Sequence, residues 1–120
     1  MRKTGRNKPD LVTFGIRIER YYKINIEATF NEESGEWSWE EIVLTPGRLD
    51  YSKIVSGLVS LKYRDDEMMA IINNHLKDQS NEDHMAEFLV MQSWRDEAKR
   101  IAKEAIQFAI DKGWEEPDYE

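Results

Sequence analysis

Residues 14–30 read FGIRIERYYKINIEATF, and the way this stretch divides decides the fold. Phe14, Ile16 and Ile18 alternate with polar neighbours, and Tyr22, Ile24, Ile26, Ala28 and Phe30 do the same, with Arg17, Glu19, Lys23, Asn25 and Glu27 between them. A period of two is the pattern of a strand with one buried face. A single strand of that extent would be roughly three times the usual length. We therefore expect a break at Glu19–Arg20–Tyr21 and two strands, although no Gly, Pro or Asn marks a turn there.

Working outward, NEESGE (31–36) offers a hairpin loop with Gly35 free to take positive φ, and WSWEEIVL (37–44) supplies the next strand. Trp37 and Trp39 have one parity, Ile42 and Leu44 the other. An extra residue at Glu40–Glu41, a β-bulge, would bring all four to the same side. The expected sheet is an antiparallel β-meander of two to three strands.

After TPG (45–47) the period changes. Asp50 is placed to cap a helix carrying Tyr51, Ile54, Val55, Leu58 and Leu61 on one stripe. A break at Tyr63–Asp65 leads to a second helix with Met68, Ile71, Ile72, His75 and Leu76 in register, its first turn acidic through Asp65, Asp66 and Glu67. Ser80 and Asp83 have the spacing of a capping box for a third helix. That helix keeps its apolar spacing from Met85 through Phe88, Leu89, Trp94, Ala98, Ile101, Ala105 and Phe108 to a stop at Gly113. At 1.5 Å per residue it would run roughly 45–50 Å, longer than a small domain is wide. Part of it must overhang its own core, kink, or pack on another chain.

Strands first and helices after is the order of an α+β domain, with the sheet packed on two short helices and one long C-terminal helix. A chain of 120 residues fits one such unit. We place that domain at residues 11–114, between a mobile basic arm (1–10) and an acidic disordered tail (115–120). No repeat, low-complexity run or Gly/Ser linker interrupts it.

Charge excludes several functions. The net charge is −7, yet Arg2, Lys3, Arg6 and Lys8 give the first nine residues +4, which leaves −11 on the rest. A body of that sign repels phosphate backbones and anionic lipid, so direct nucleic-acid binding and membrane binding are not expected of it. The two helices of 50–76 invite a helix-turn-helix reading, but Asp65, Asp66 and Glu67 would meet the phosphates. There is no cysteine, hence no disulfide, thiol nucleophile or thiolate metal site. Charges interrupt LVTFGIRIER (11–20), so no signal peptide or membrane span is expected there, and we expect a cytoplasmic protein.

Candidate chemistry is sparse. His75, His84, Asp83 and Glu87 are the one cluster of metal-ligand type, but His75 falls on an apolar stripe and no second His–carboxylate pair accompanies it; we expect no metal and no cofactor. No phosphate loop, nucleophile elbow or HExxH occurs, and Glu32, Glu33, Glu36, Glu40 and Glu41 read as a solvated hairpin tip, so no catalytic residues are assigned. Aromatic residues remain. Trp114 follows the helix stop with no place in the periodic core, and Tyr21 lies opposite the inward face of its strand. Trp94, Trp114, Phe108 and Tyr21 are the protein-interaction candidates.

YSKIVSGLVSLKYRDDEMMAIINNHL (51–76) and AEFLVMQSWRDEAKRIAKEAI (86–106) carry a Tyr before an Ile-Val pair, a Lys-Tyr before an acidic turn, an Ala-Ile-x-x-Asn segment and a Gln-x-Trp-Arg. These are Tyr51, Ile54, Val55, Lys62, Tyr63, Ala70, Ile71, Asn73 or Asn74, Gln92, Trp94 and Arg95. Over residues 50–106 the chain resembles small proteins encoded in phage and prophage gene clusters of anaerobic gut bacteria. The resemblance implies a structural or morphogenesis accessory role and brings no catalytic residues with it. The leading expectation is thus a non-enzymatic interaction module that forms a homo-oligomer or binds another phage-encoded protein. The alternative is an acidic decoy that mimics nucleic acid and inhibits a DNA-binding protein. A small enzyme built on His84 would need those carboxylates gathered in a pocket.

Overall fold

Alternation in the N-terminal third becomes a four-stranded antiparallel sheet in the computed structural model, which describes residues 1–16 and 18–116. The strands are β1 (Arg2–Gly5), β2 (Val12–Ile16), β3 (Arg20–Asn31) and β4 (Glu36–Val43). They lie in the order β1-β4-β3-β2, so β2, β3 and β4 are successive hairpins and β1 returns beside β4. This is Greek-key connectivity. The helices are α1 (Tyr51–Lys62), α2 (Asp65–Lys77) and α3 (Glu82–Asp111), completing an α+β fold.

The break in the alternating run falls between Ile16 and Arg20, and the β2–β3 hairpin pairs Val12 with Ile24 and Phe14 with Tyr22. The N-terminal segment differs from expectation. Residues 2–5, assigned to a mobile arm, form an edge strand, with Arg2 opposite Glu40 and Gly5 opposite Trp37. The Arg2 guanidinium reaches across β4 to donate to the Glu27 carbonyl, Thr29 Oγ1 and Ser38 Oγ. Those long-range bonds leave no local trace in a short, cationic sequence. From β1 the chain crosses to the opposite edge of the sheet, Lys8 passing 5.7 Å from the Trp37 ring centre.

The bulge also differs. It lies in β3, where Glu27 and Ala28 together face Trp39 between the pairs Ile26–Glu40 and Thr29–Ser38. Glu27 takes φ +54°, the left-handed conformation that glycine normally supplies in such bulges. β4 therefore alternates without interruption. Ile42 and Leu44 are buried beneath the helices, while Trp37 and Trp39 occupy the other face, Trp37 against Phe30 at 5.3 Å.

One core joins that sheet to the helices. Val12, Tyr22, Ile24, Ile26, Ile42 and Leu44 meet Ile54, Leu58 and Val59 of α1 and the alanines of α3. Ala98, Ala102, Ala105 and Ala109 are each fully buried, and a stripe of such small side chains lets α1 and the sheet approach α3 closely. Asp50 caps α1 by accepting from the Lys53 amide. At α3 the cap is Asn81, accepting from Asp83 and His84, where Ser80 was expected; Ser80 instead donates its hydroxyl to Asp78. Gly113, at φ +76°, turns the chain beyond α3.

Placed end to end, α1 and α2 lie antiparallel along α3, α1 beside its C-terminal half and α2 beside its N-terminal half. The Trp94 indole donating to Leu58 fixes the first contact and His75 stacked on Phe88 at 4.4 Å fixes the second. Only α1 and the C-terminal part of α3 sit on the sheet. α2 buries no residue fully, and the first fully buried side chain of α3 is Met91. The hairpin of α2 and residues 82–90 is thus an arm overhanging the core, within a molecule of 49 × 48 × 25 Å.

Candidate interaction surface

Of the four aromatic residues singled out in the sequence, the fold brings Phe108 and Trp114 together and separates Trp94 and Tyr21 from them, and each has contacts within its own chain. Trp94 is half-buried; its Nε1 donates to the Leu58 carbonyl at 3.0 Å. The Lys62 ammonium lies 4.1 Å from its ring centre and 2.9 Å from the Glu27 carboxylate. Trp114, expected outside the core, packs edge-on against Phe14 at 5.0 Å and beside Phe108 at 5.9 Å. Its carbonyl accepts from the Tyr22 hydroxyl. Tyr21 covers Gly15 on the outer face of the sheet and borders a shallow apolar recess with Ile18, Val43 and Pro46.

Glu115, assigned to the tail, is likewise engaged: its carboxylate accepts the Leu49 amide. The rest of the tail expectation, residues 117–120, lies outside the described residues. Burial and the nearby Glu115 carboxylate push the Tyr22 phenol above its ordinary pKa, against the opposing pull of Arg20. On the solvent side of α3, Arg100 bonds both Glu97 and Glu104, and its hydrogen bond holds the Glu97 carboxyl below the ordinary range.

Exposed apolar side chains gather on the overhanging arm: Met69 and Leu76 on α2, and Met85, Leu89 and Val90 on α3. Met69, Ile72 and Leu76 stand at i, i+3, i+7, and Met85 and Leu89 at i, i+4. Counted from the side on which the helices meet, at His75 and Phe88, both stripes turn in the same rotational sense. In an antiparallel pair that is the same flank. Met69 and Ile72 continue into a groove between α1 and α2, lined by Val55 and Val59 and by Arg95 of α3. Apolar spacing at Met85 and Leu89 is plain in the sequence. What it lacks is any sign that the sheet ends before reaching them, and the excessive helix length was the available clue.

His75 and His84 are partly buried on the same arm, and neither belongs to a ligand set: among the described residues no group of three or more His, Asp or Glu side chains is placed to hold a metal ion. Among those residues, too, no helix is long and apolar enough to cross a membrane. Comparison with family models, curated proteins and solved structures finds no match to this chain.

Proposed function

We propose that this protein is a non-enzymatic interaction module that associates with a second copy of itself through the arm. The observation that carries this reading is the apolar flank shared by α2 and residues 82–90, which the chain's own sheet does not cover. A two-fold partner presents the same flank in return, and two antiparallel helical hairpins packed face to face make a four-helix bundle. Leu76 and Leu89 stand exposed on the facing stripes, and burying such side chains is favourable by about 1.5–3 kcal/mol each. The resemblance over residues 50–106 supports placing this module among structural or morphogenesis accessory proteins of phage or prophage.

The test is solution mass by light scattering coupled to size exclusion over a wide concentration range. Wild-type chain is expected as a dimer that dissociates on dilution, and Leu76→Lys with Leu89→Lys is expected as a folded monomer. A wild-type mass that stays monomeric at the highest soluble concentration overturns the proposal.

A further inference from the structure

Four of the five methionines fall on one part of the molecule. Met68 and Met69 belong to α2, Met85 and Met91 to the N-terminal third of α3, and the fifth is Met1. Met is a good helix former whose unbranched thioether adapts to irregular surfaces, so it suits a helical hairpin with apolar sides. Burial divides the set. Met91 is fully buried and Met68 lies partly buried in the groove between α1 and α2, whereas Met69 is 57% and Met85 39% exposed. Those two stand on the apolar flank of the arm, one on each helix.

Exposure decides their chemistry. The chain has no cysteine, so these thioethers are its only sulfur. A solvated thioether reacts with hydrogen peroxide in a balanced two-electron step. A sulfur lone pair attacks one peroxide oxygen, and the S–O bond forms as the O–O bond breaks. The displaced hydroxide takes the proton of the transferred hydroxyl and leaves as water; sulfur is oxidised and peroxide reduced. The product, methionine sulfoxide, is polar and accepts hydrogen bonds. Its neighbours on the two stripes, Ile72, Leu76 and Leu89, carry no side-chain donor, so a sulfoxide buried among them goes unpaired at a cost in free energy.

We propose that Met69 and Met85 form a peroxide-sensitive modification site that turns self-association off. The inference rests on the association through the arm proposed above. In the dimer both thioethers are covered and slow to react, so peroxide captures the dissociated chain and draws the equilibrium toward it by mass action. Reduction by methionine sulfoxide reductases returns the thioethers, and the dimer with them.

The experiment treats the full chain with dilute hydrogen peroxide at two protein concentrations, one above and one below the range in which the dimer dissociates. Peptide mass spectrometry follows each methionine, light scattering the mass, and far-UV circular dichroism the helices. Met69 and Met85 should react several-fold more slowly in the concentrated sample, exposed Met1 equally in both, and buried Met91 in neither. The doubly oxidised chain should associate about 100-fold more weakly, about tenfold for each sulfoxide, with its helicity unchanged. Reductase treatment should restore the original mass. Met69→Leu with Met85→Leu keeps the flank apolar and should stay dimeric in peroxide. A dimer that persists with Met69 and Met85 oxidised overturns the proposal and leaves the association standing, as does a Leu variant that dissociates as readily as wild type. Helicity lost in step with oxidation overturns it too, by showing damage to the fold. A chain monomeric before any peroxide is added overturns both readings.

Discussion

A methyl group built on Gly15 would stand 2.5 Å from the ring and hydroxyl of Tyr21, which lies directly across the β2–β3 ladder. Gly15→Ala must therefore move the far end of the partly exposed Tyr21 side chain, which can swing outward, and we expect a change of no more than about 1 kcal/mol in urea denaturation. Tyr22, one residue on, contributes to alkaline stability. Its phenol has a raised pKa because burial disfavours the phenolate, Glu115 adding to the effect. The unfolded phenol ionises near 10.0, so between that value and the higher folded pKa the native state holds more protons. Stability from this group is complete below pH 10 and declines as pH rises through the folded value. Thermal melts from pH 8 upward should show a steeper alkaline decline for wild type than for Tyr22→Phe. At this scale much is legible in sequence. Asp50 caps α1 because a cap needs only a short side chain and an amide three residues on. Asn81 rather than Ser80 caps α3, since adjacent polar residues compete and one bond decides the winner.

Among the elements, α3 carries the clearest division of labour. Its C-terminal half is a close-packed wall of alanines, so in chemical denaturation at concentrations dilute enough to keep the chain monomeric Ala102→Leu should cost about 1–3 kcal/mol, whereas Leu89→Lys on the arm should stay within about 0.5 kcal/mol. The two positions lie on one helix, Ala102 covered by the core and Leu89 left exposed by its own chain. The helix and hairpin pattern was readable because each element carries its own period. The bulge was not, because parity shows that a residue is extra without saying which strand of the pair holds it; Glu27 holds it, with its carbonyl bonded to Arg2. β1 was hidden for a related reason. Four cationic or small residues become a strand only when β4 and the Glu27 carbonyl are already in place.

At the scale of the whole molecule, charge and shape act against each other. Association of two arms buries apolar surface but brings together two chains of net charge −7. Salt shortens the reach of that repulsion to about 10 Å at 0.1 M. The dimer expected in light scattering should therefore strengthen as salt is raised, opposite to an association held by ion pairs. Overall shape was legible only in part, through a helix too long for its domain; the direction of the overhang follows from α1 and α2 lining up along α3.

The Greek-key return of β1 sets an order on assembly. Arg2 pairs with Glu40, and its guanidinium bridges β4 to the bulge of β3. During synthesis this segment leaves the ribosome well before its partner β4, and its Arg2 bridge to β3 cannot form until the β3–β4 hairpin has closed. The earliest-made strand is thus among the last to be seated, and it locks the finished sheet from its edge.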